Sequence, residues 1–330
     1  MLLTMREKNK IEVMQHVMAG TIEVDEAGRV LNRSVRQIYR MLKNLKDKGL
    51  EGLQHGNKGR PSPRKLKKAI CKKILELARG RLKDINDTHL TEILVREERM
   101  KLSRPLVRNI LREAGIPAKL KHRSPKHRSR RERKEAFGMM LQIDASRHDW
   151  LEGRGPYLTI VGAIDDATNF AWAQVVDAET TWSYLDLLEG IASTQGLPLS
   201  LYSDRHSIFY VLREASIEEQ FKNEKALTQF GRTMEALGIH LIKAYSPQAK
   251  GRIERFWKTL QDRLVVELRL AGAKTKQEAQ RVLEKFLQEY NRQFTLPAKQ
   301  ESVFCKTPKA SDLSRILCLK ETRTVAKDHT

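Results

Sequence analysis

From residue 138 to residue 294 the apolar pattern changes period in a definite order. Short runs rich in Ile, Val and Leu occupy 139–144, 157–164 and 170–176. A helical pattern carrying Trp182, Leu185, Leu188 and Ile191 follows, then a strand over 199–203, a helix around 230–237, a strand over 239–244, and two long helices over 251–270 and 276–294. Strands joined by short turns pair antiparallel, whereas strands separated by a helix pair in parallel. The order therefore predicts an α/β domain with a mixed five-stranded sheet. Asp165 and Asp166 fall between the second and third strands and are expected to be turn residues.

Ahead of the sheet the chain is helical. Ile11, Val13, Met14, Val17 and Met18 recur at helical spacing up to Gly20, and a second helix spans 24–31. A third, opened by Asn32-Arg33-Ser34, places Val35, Ile38, Tyr39, Leu42 and Leu45 on its apolar side. Three such helices predict a helix-turn-helix domain over 1–53, with Arg36, Gln37 and Arg40 facing a DNA groove. A basic Gly/Pro-rich linker at 54–64 leads to a second helical, helix-turn-helix-like block at 65–116. Its last helix is opened by Ser103-Arg104-Pro105, and Arg104, Arg108 and Asn109 are the groove-facing residues. Residues 117–136 form a basic linker that includes Arg128, Arg130 and Arg131. A run this dense in positive charge does not fold against itself and is expected to lie along phosphates.

The formal net charge of +21 agrees with a polyanionic partner. Cys71, Cys305 and Cys318 are too few and too widely spaced for a disulfide framework or a zinc knuckle. The N-terminus lacks the apolar core of a signal peptide, and no stretch approaches the roughly 20 apolar residues of a membrane span. A cytoplasmic, nucleoid-associated protein with no membrane partner is expected. No Walker loop or Gly-x-Gly-x-x-Gly is present, so nucleotide hydrolysis is unsupported.

Three carboxylates stand in distinct contexts. Asp144 ends the first strand, Asp204 ends the fourth, and Glu254 lies a short turn into the helix that opens at 251. Two strand-end aspartates on neighbouring strands bring hard oxygen donors together at the rim of a sheet, a donor set suited to magnesium. On the same helix Ile253, Trp257, Leu260 and Leu264 are spaced to face the core. Glu254, Lys258 and Gln261 form the neighbouring stripe, directed along DNA, and Lys250, Arg252 and Arg255 supply phosphate contacts at the helix start. The competing reading makes Glu254 and Lys258 a surface i,i+4 ion pair.

The element order resembles a ribonuclease H-like fold. Gln142-Ile143-Asp144-Ala145-Ser146-Arg147-His148-Asp149-Trp150, Ile164-Asp165-Asp166-Ala167-Thr168, Tyr202-Ser203-Asp204-Arg205-His206 and Ser246-Pro247-Gln248-Ala249-Lys250-Gly251-Arg252-Ile253-Glu254-Arg255 resemble the DDE transposases of bacterial insertion sequences, of the ISNCY-type group, over nearly the whole chain. The resemblance implies that Asp144, Asp204 and Glu254 are the catalytic, metal-binding triad. It implies two Mg2+ ions, with Mn2+ able to substitute, that activate an attacking water or 3′-hydroxyl. By the same resemblance the helical modules bind double-stranded DNA at the terminal inverted repeats. The integrase-like catalytic core at 137–295 then cuts these ends and joins them to target DNA, and a homo-oligomer holds two ends together. A small β-rich domain usually follows the region matching 296–330, so this C-terminal extension is expected to be truncated. The alternative is an incompetent, shortened transposase acting as a DNA-binding regulator.

Overall fold

The computed structural model describes residues 5–53, 57, 66–119, 131–211, 226–244 and 250–321, in two compact units that divide at Lys68. In the first unit α1 (Met5–Met18), α2 (Val24–Leu31) and α3 (Val35–Lys48) close on a core of Met14, Ala27, Ile38, Met41, Leu45 and Leu53. The α2–α3 turn is tight: Asn32 takes a left-handed conformation at φ 50°, and the Arg33 amide donates to the Gly28 carbonyl. Tyr39, expected on the apolar side of α3, is 59% exposed, and Val35 is also exposed. The inward stripe of α3 is Ile38, Met41 and Leu45, and the other two lie on the flank it leaves to solvent.

The second unit holds the five-stranded sheet. β1 (Leu141–His148), β2 (Leu158–Asp165) and β3 (Ala171–Val176) form an antiparallel meander, and β4 (Ser200–Ser203) and β5 (His240–Lys243) add in parallel, giving the order β3-β2-β1-β4-β5. All eight residues of β2 are buried because helices cover both faces. On one face α7 (Thr181–Thr194) and α8 (Gln229–Ala236) pack on Leu141, Ile143, Val161 and Ala163. On the other, α9 (Gly251–Leu270) and α10 (Lys276–Phe294) pack on Leu158, Ile160 and Ile164. Capping boxes at Thr180/Ser183 and Thr275/Glu278 fix where α7 and α10 start. Trp182 is 46% exposed rather than part of the α7 stripe. Steps of three drift about 60° each, so Trp182 ends half a turn away from Ile191.

One strand boundary is corrected, and two outer segments prove to be packed on the sheet unit. β1 does not stop at Asp144: its ladder with β2 continues to His148 opposite Leu158, so Asp144 lies in mid-strand opposite Gly162. Ser146-Arg147-His148 has no apolar alternation, but the fully buried neighbouring strand supplies hydrogen-bond partners. The chain beyond residue 295 is not an appendage. Gln300 bridges to Ala136, Cys305 bridges to Leu197, and α11 (Ala310–Ile316) delivers Leu313, which joins Leu317 in the sheet core. Gly138, at φ +85°, admits this return, since a Cβ there would stand 2.4 Å from the Phe304 ring.

The block of α4 (Lys68–Arg79), α5 (Asp87–Arg96) and α6 (Arg104–Glu113) is likewise not a free domain. It docks on the C-terminal half of α9, where Asn86 bonds Asp262, Glu92 pairs with Arg263 (2.7 Å), and His89 Nε2 meets Glu267 (3.0 Å). Among the described residues no helix is long and apolar enough to cross a membrane.

Candidate active site

The helix-facing side of β1 is polar at alternate positions, and α9 answers it at every fourth residue. Gln142 Oε1 accepts from the Ile253 amide (3.2 Å), Asp144 Oδ2 accepts from Trp257 Nε1–H (3.0 Å), and Ser146 Oγ accepts from Gln261 Nε2 (3.2 Å). Two strand residues advance about 6.6 Å and four helix residues about 6 Å, so the two periods stay nearly in step. Gly162, opposite Asp144, makes the middle rung possible: a Cβ there would lie 2.8 Å from the Trp257 ring. Gln261 therefore faces the sheet, not DNA. Trp257 is in the core as its spacing predicts, yet its N–H serves the first aspartate, a role that spacing does not reveal.

Asp204 follows β4 directly. The last β1–β4 pair is Gln142 with Tyr202, and Asp144 and Asp204 each lie two residues further on, so parallel register brings their carboxylates together. Asp204 Oδ1 accepts from the His206 amide (3.1 Å). Between the two stands Lys250, its Nζ 2.8 Å from Asp144 Oδ1 and 3.5 Å from Asp204 Oδ2. Lys250 is thus drawn inward, because two adjacent carboxylates in a half-buried site attract the nearest cation more strongly than solvent does. Glu254 is exposed on the first turn of α9, beside exposed Arg255 and Lys258, and forms no ion pair with Lys258 among the described residues. No three His, Cys, Asp or Glu side chains among the described residues converge as metal ligands. The two aspartates nonetheless suit a divalent cation: both are hard oxygen donors, and both already turn an oxygen to one shared cationic atom.

Behind this pair lies a buried charge cluster. Asp166, fully buried, accepts from Arg131, from the Lys134 amide (2.8 Å) and from Gln142 Nε2 (2.9 Å), and it pairs with Arg252 (2.7 Å). Arg252 is only 9% exposed, and burial pulls its guanidinium below the ordinary value against the opposing charge of Asp166. Arg252, expected on a phosphate, is instead a buried partner of this carboxylate, which clamps the first turn of α9 to β1 through Gln142, and Arg131, 40% exposed, turns to it from the surface. Asp165 behaves as a turn residue, accepting from the Thr168 amide and hydroxyl (both 2.8 Å); burial pushes its carboxyl up. Asp166 does not.

The remaining nucleic-acid candidates divide by place. Arg36 and Arg40 are exposed on α3 on the side away from Ile38 and Met41, and Gln37 is exposed on the flank next to Met41. Arg104, Arg108 and Asn109 are exposed on α6. In that block four acids are paired, Asp87 with Arg112, Glu92 with Arg263, and Glu97 and Glu98 with Arg81, while Glu113 is exposed at the end of α6. Arg99, Lys101, Arg104 and Arg108 are exposed and join no ion pair among the described residues. Arg128 and Arg130 lie outside the described residues.

The Helix-turn-helix domain family matches residues 9–62, and the Integrase core domain family matches 235–294, the stretch that holds β5, α9 and α10. The y4bF protein of Sinorhizobium fredii (strain NBRC 101917 / NGR234), which carries the name of a transposase, is 34% identical across 98% of this chain and 70% of its own length. The transposase for insertion sequence IS1202 of Streptococcus pneumoniae is 33% identical across 98% of this chain and 76% of its own. Among solved structures, the catalytic core domain of BIV integrase aligns at 20% identity over 54% of this chain and 95% of that one, with a TM-score of 0.33. The catalytic core domain of HTLV-2 integrase in complex with magnesium aligns at 13% identity over 48% and 88%, with a TM-score of 0.34. Superpositions this loose add nothing to the two sequence relatives.

Proposed function

We propose a division of labour for this chain, which belongs to the transposases of insertion sequences: a DNA-binding polynucleotidyl transferase with a helix-turn-helix domain and an integrase core. Asp144, Asp204 and Glu254 carry the chemistry. The observation behind this is the parallel register that sets Asp144 and Asp204 side by side on one cationic atom. These three would hold magnesium, with manganese as a substitute and two ions at full occupancy. A divalent cation there supplies Lewis-acid activation of the attacking oxygen and charge stabilisation of the leaving one.

The protein's own part is positional. Trp257 and the His206 amide fix one oxygen of each aspartate, and the Asp166–Arg252 pair holds the helix that bears Glu254. Exposed Arg255 and Lys258, on the same turns of α9 as Glu254, are placed to take the phosphates of the cleaved strand. Arg36, Gln37 and Arg40 of α3 read the terminal inverted repeats. Arg104, Arg108 and Asn109 of α6 hold adjoining backbone, supported by the outward segregation of bases in that block. A homo-oligomer on DNA brings two ends together. The finer placement in the ISNCY-type group rests on the motifs around the three carboxylates.

The test is magnesium-dependent cleavage and strand transfer on a duplex carrying the element's own end. Wild type is expected to give nicked and joined products, and Asp204→Asn none. Equal product from the two would remove Asp204 from the chemistry.

A further inference from the structure

We propose that Lys250 is the resident counter-ion of the Asp144–Asp204 pair and competes with divalent metal for it. The inference rests on the metal-binding reading of those two aspartates. Each has one oxygen committed to a fixed protein donor: Asp144 Oδ2 to the Trp257 indole (3.0 Å) and Asp204 Oδ1 to the His206 amide (3.1 Å). The other oxygen of each turns to Lys250 Nζ, at 2.8 and 3.5 Å. The ammonium therefore takes the one position from which a single cation reaches both free oxygens. Its side chain is only 11% exposed and that of Asp144 24%, so water screens that attraction little, whereas the longer contact to Asp204, 49% exposed, is the weaker one.

A divalent ion on the same oxygens would press a second positive charge against the ammonium, and the two occupants exclude each other. The exchange is mechanically easy. Lys250 is the N-cap residue of α9, and its side chain makes no cap hydrogen bond, so swinging it out leaves the helix start intact. Gln142 and Arg252, not Lys250, anchor that start. A phosphate arriving at the site gives the displaced ammonium a new partner. Metal and DNA binding therefore reinforce one another, as linkage requires when each favours the same displaced state.

The experiment is calorimetric titration of Mn2+ into the full chain without DNA, for wild type, Lys250→Met and Asp144→Asn. Lys250→Met is expected to bind about tenfold tighter than wild type, since it removes the competing charge, while Asp144→Asn loses the site. Metal-free Lys250→Met should melt below wild type and gain more on Mn2+ saturation. Lys250→Gln serves as a second variant should the methionine perturb folding. Equal or weaker Mn2+ binding by both lysine variants, with wild type binding and Asp144→Asn not, overturns the competition and leaves the metal reading standing. Undiminished binding by Asp144→Asn overturns the metal reading, and the competition with it.

Discussion

A missing methyl at Gly162 decides where Trp257 lies, and Trp257 decides how Asp144 is held. Gly162→Ala sets a Cβ 2.8 Å from the indole ring, with the Trp172 carbonyl at 3.2 Å on another side, so neither can retreat freely. We expect a loss of about 1–3 kcal/mol in urea-denaturation stability, the usual cost of overpacking, together with a shift in tryptophan fluorescence as the indole leaves Asp144. An unchanged midpoint would show that the ring has room to move. Asp166→Asn should cost about 3–5 kcal/mol in the same measurement, because buried Arg252 would keep its charge without a full partner. Such roles are only half legible in the sequence. Local context singles out Asp144 and Asp204 as candidates, and helical spacing places Trp257 inside; spacing reports a face, however, and not which atom of the side chain has a partner. Lys250 and Arg252 mislead because a cation at a helix start looks the same whether it meets a phosphate outside or a carboxylate inside.

At the scale of elements, α9 joins the parts of the second unit. Its first half meets β1 rung by rung and its second half carries α5 through His89, Glu92 and Arg96. The bounds of α9 and α10 are readable because their periodicity is long and strong. The return of Gln300, Cys305 and Leu313 is not, since single bridges and one short helix leave no local period. The α5–α9 contact has a definite pH dependence. Burial alone would push the Glu267 carboxyl up, but the hydrogen bond from His89 and the charge of Arg96 outweigh it and hold the group below its ordinary value. A lowered carboxylate stabilises the docked state fully above the ordinary glutamate value near 4.3 and loses that contribution as pH falls through the lowered one. The α5 amides should therefore be strongly protected from hydrogen exchange at neutral pH, relative to their intrinsic rate at each pH, and lose protection below about pH 4. Glu267→Gln should remove that acid step, and an acid step that persists in the variant would place its origin elsewhere.

For the whole molecule the decisive quantity is how its excess of positive charge, +21 in formal terms, divides between backbone attraction and sequence reading. The charge alone predicts a polyanionic partner, but not that Arg131, Lys250 and Arg252 serve carboxylates inside the protein. Away from α9, two outward groups matter for DNA. The exposed bases Arg99, Lys101, Arg104 and Arg108 follow one another closely in the chain and join no ion pair among the described residues, while Asp87, Glu97 and Glu98 are paired elsewhere, which suits phosphates irrespective of sequence. On α3, Arg36, Gln37 and Arg40 are the residue types that pair with base edges. The two groups should separate in one set of anisotropy titrations against an element-end duplex and a scrambled duplex at salt concentrations from about 50 to about 200 mM. Replacing Arg104 and Arg108 with Ala should weaken both duplexes alike and flatten the logarithmic salt dependence by roughly one unit for each phosphate that is no longer neutralised. Gln37→Ala should leave the salt slope nearly unchanged and cost about 1–3 kcal/mol on the element end alone. A double variant of Arg104 and Arg108 that keeps the wild-type slope would mean that this patch does not meet DNA, and the outward bases of α6 would then need another anionic partner.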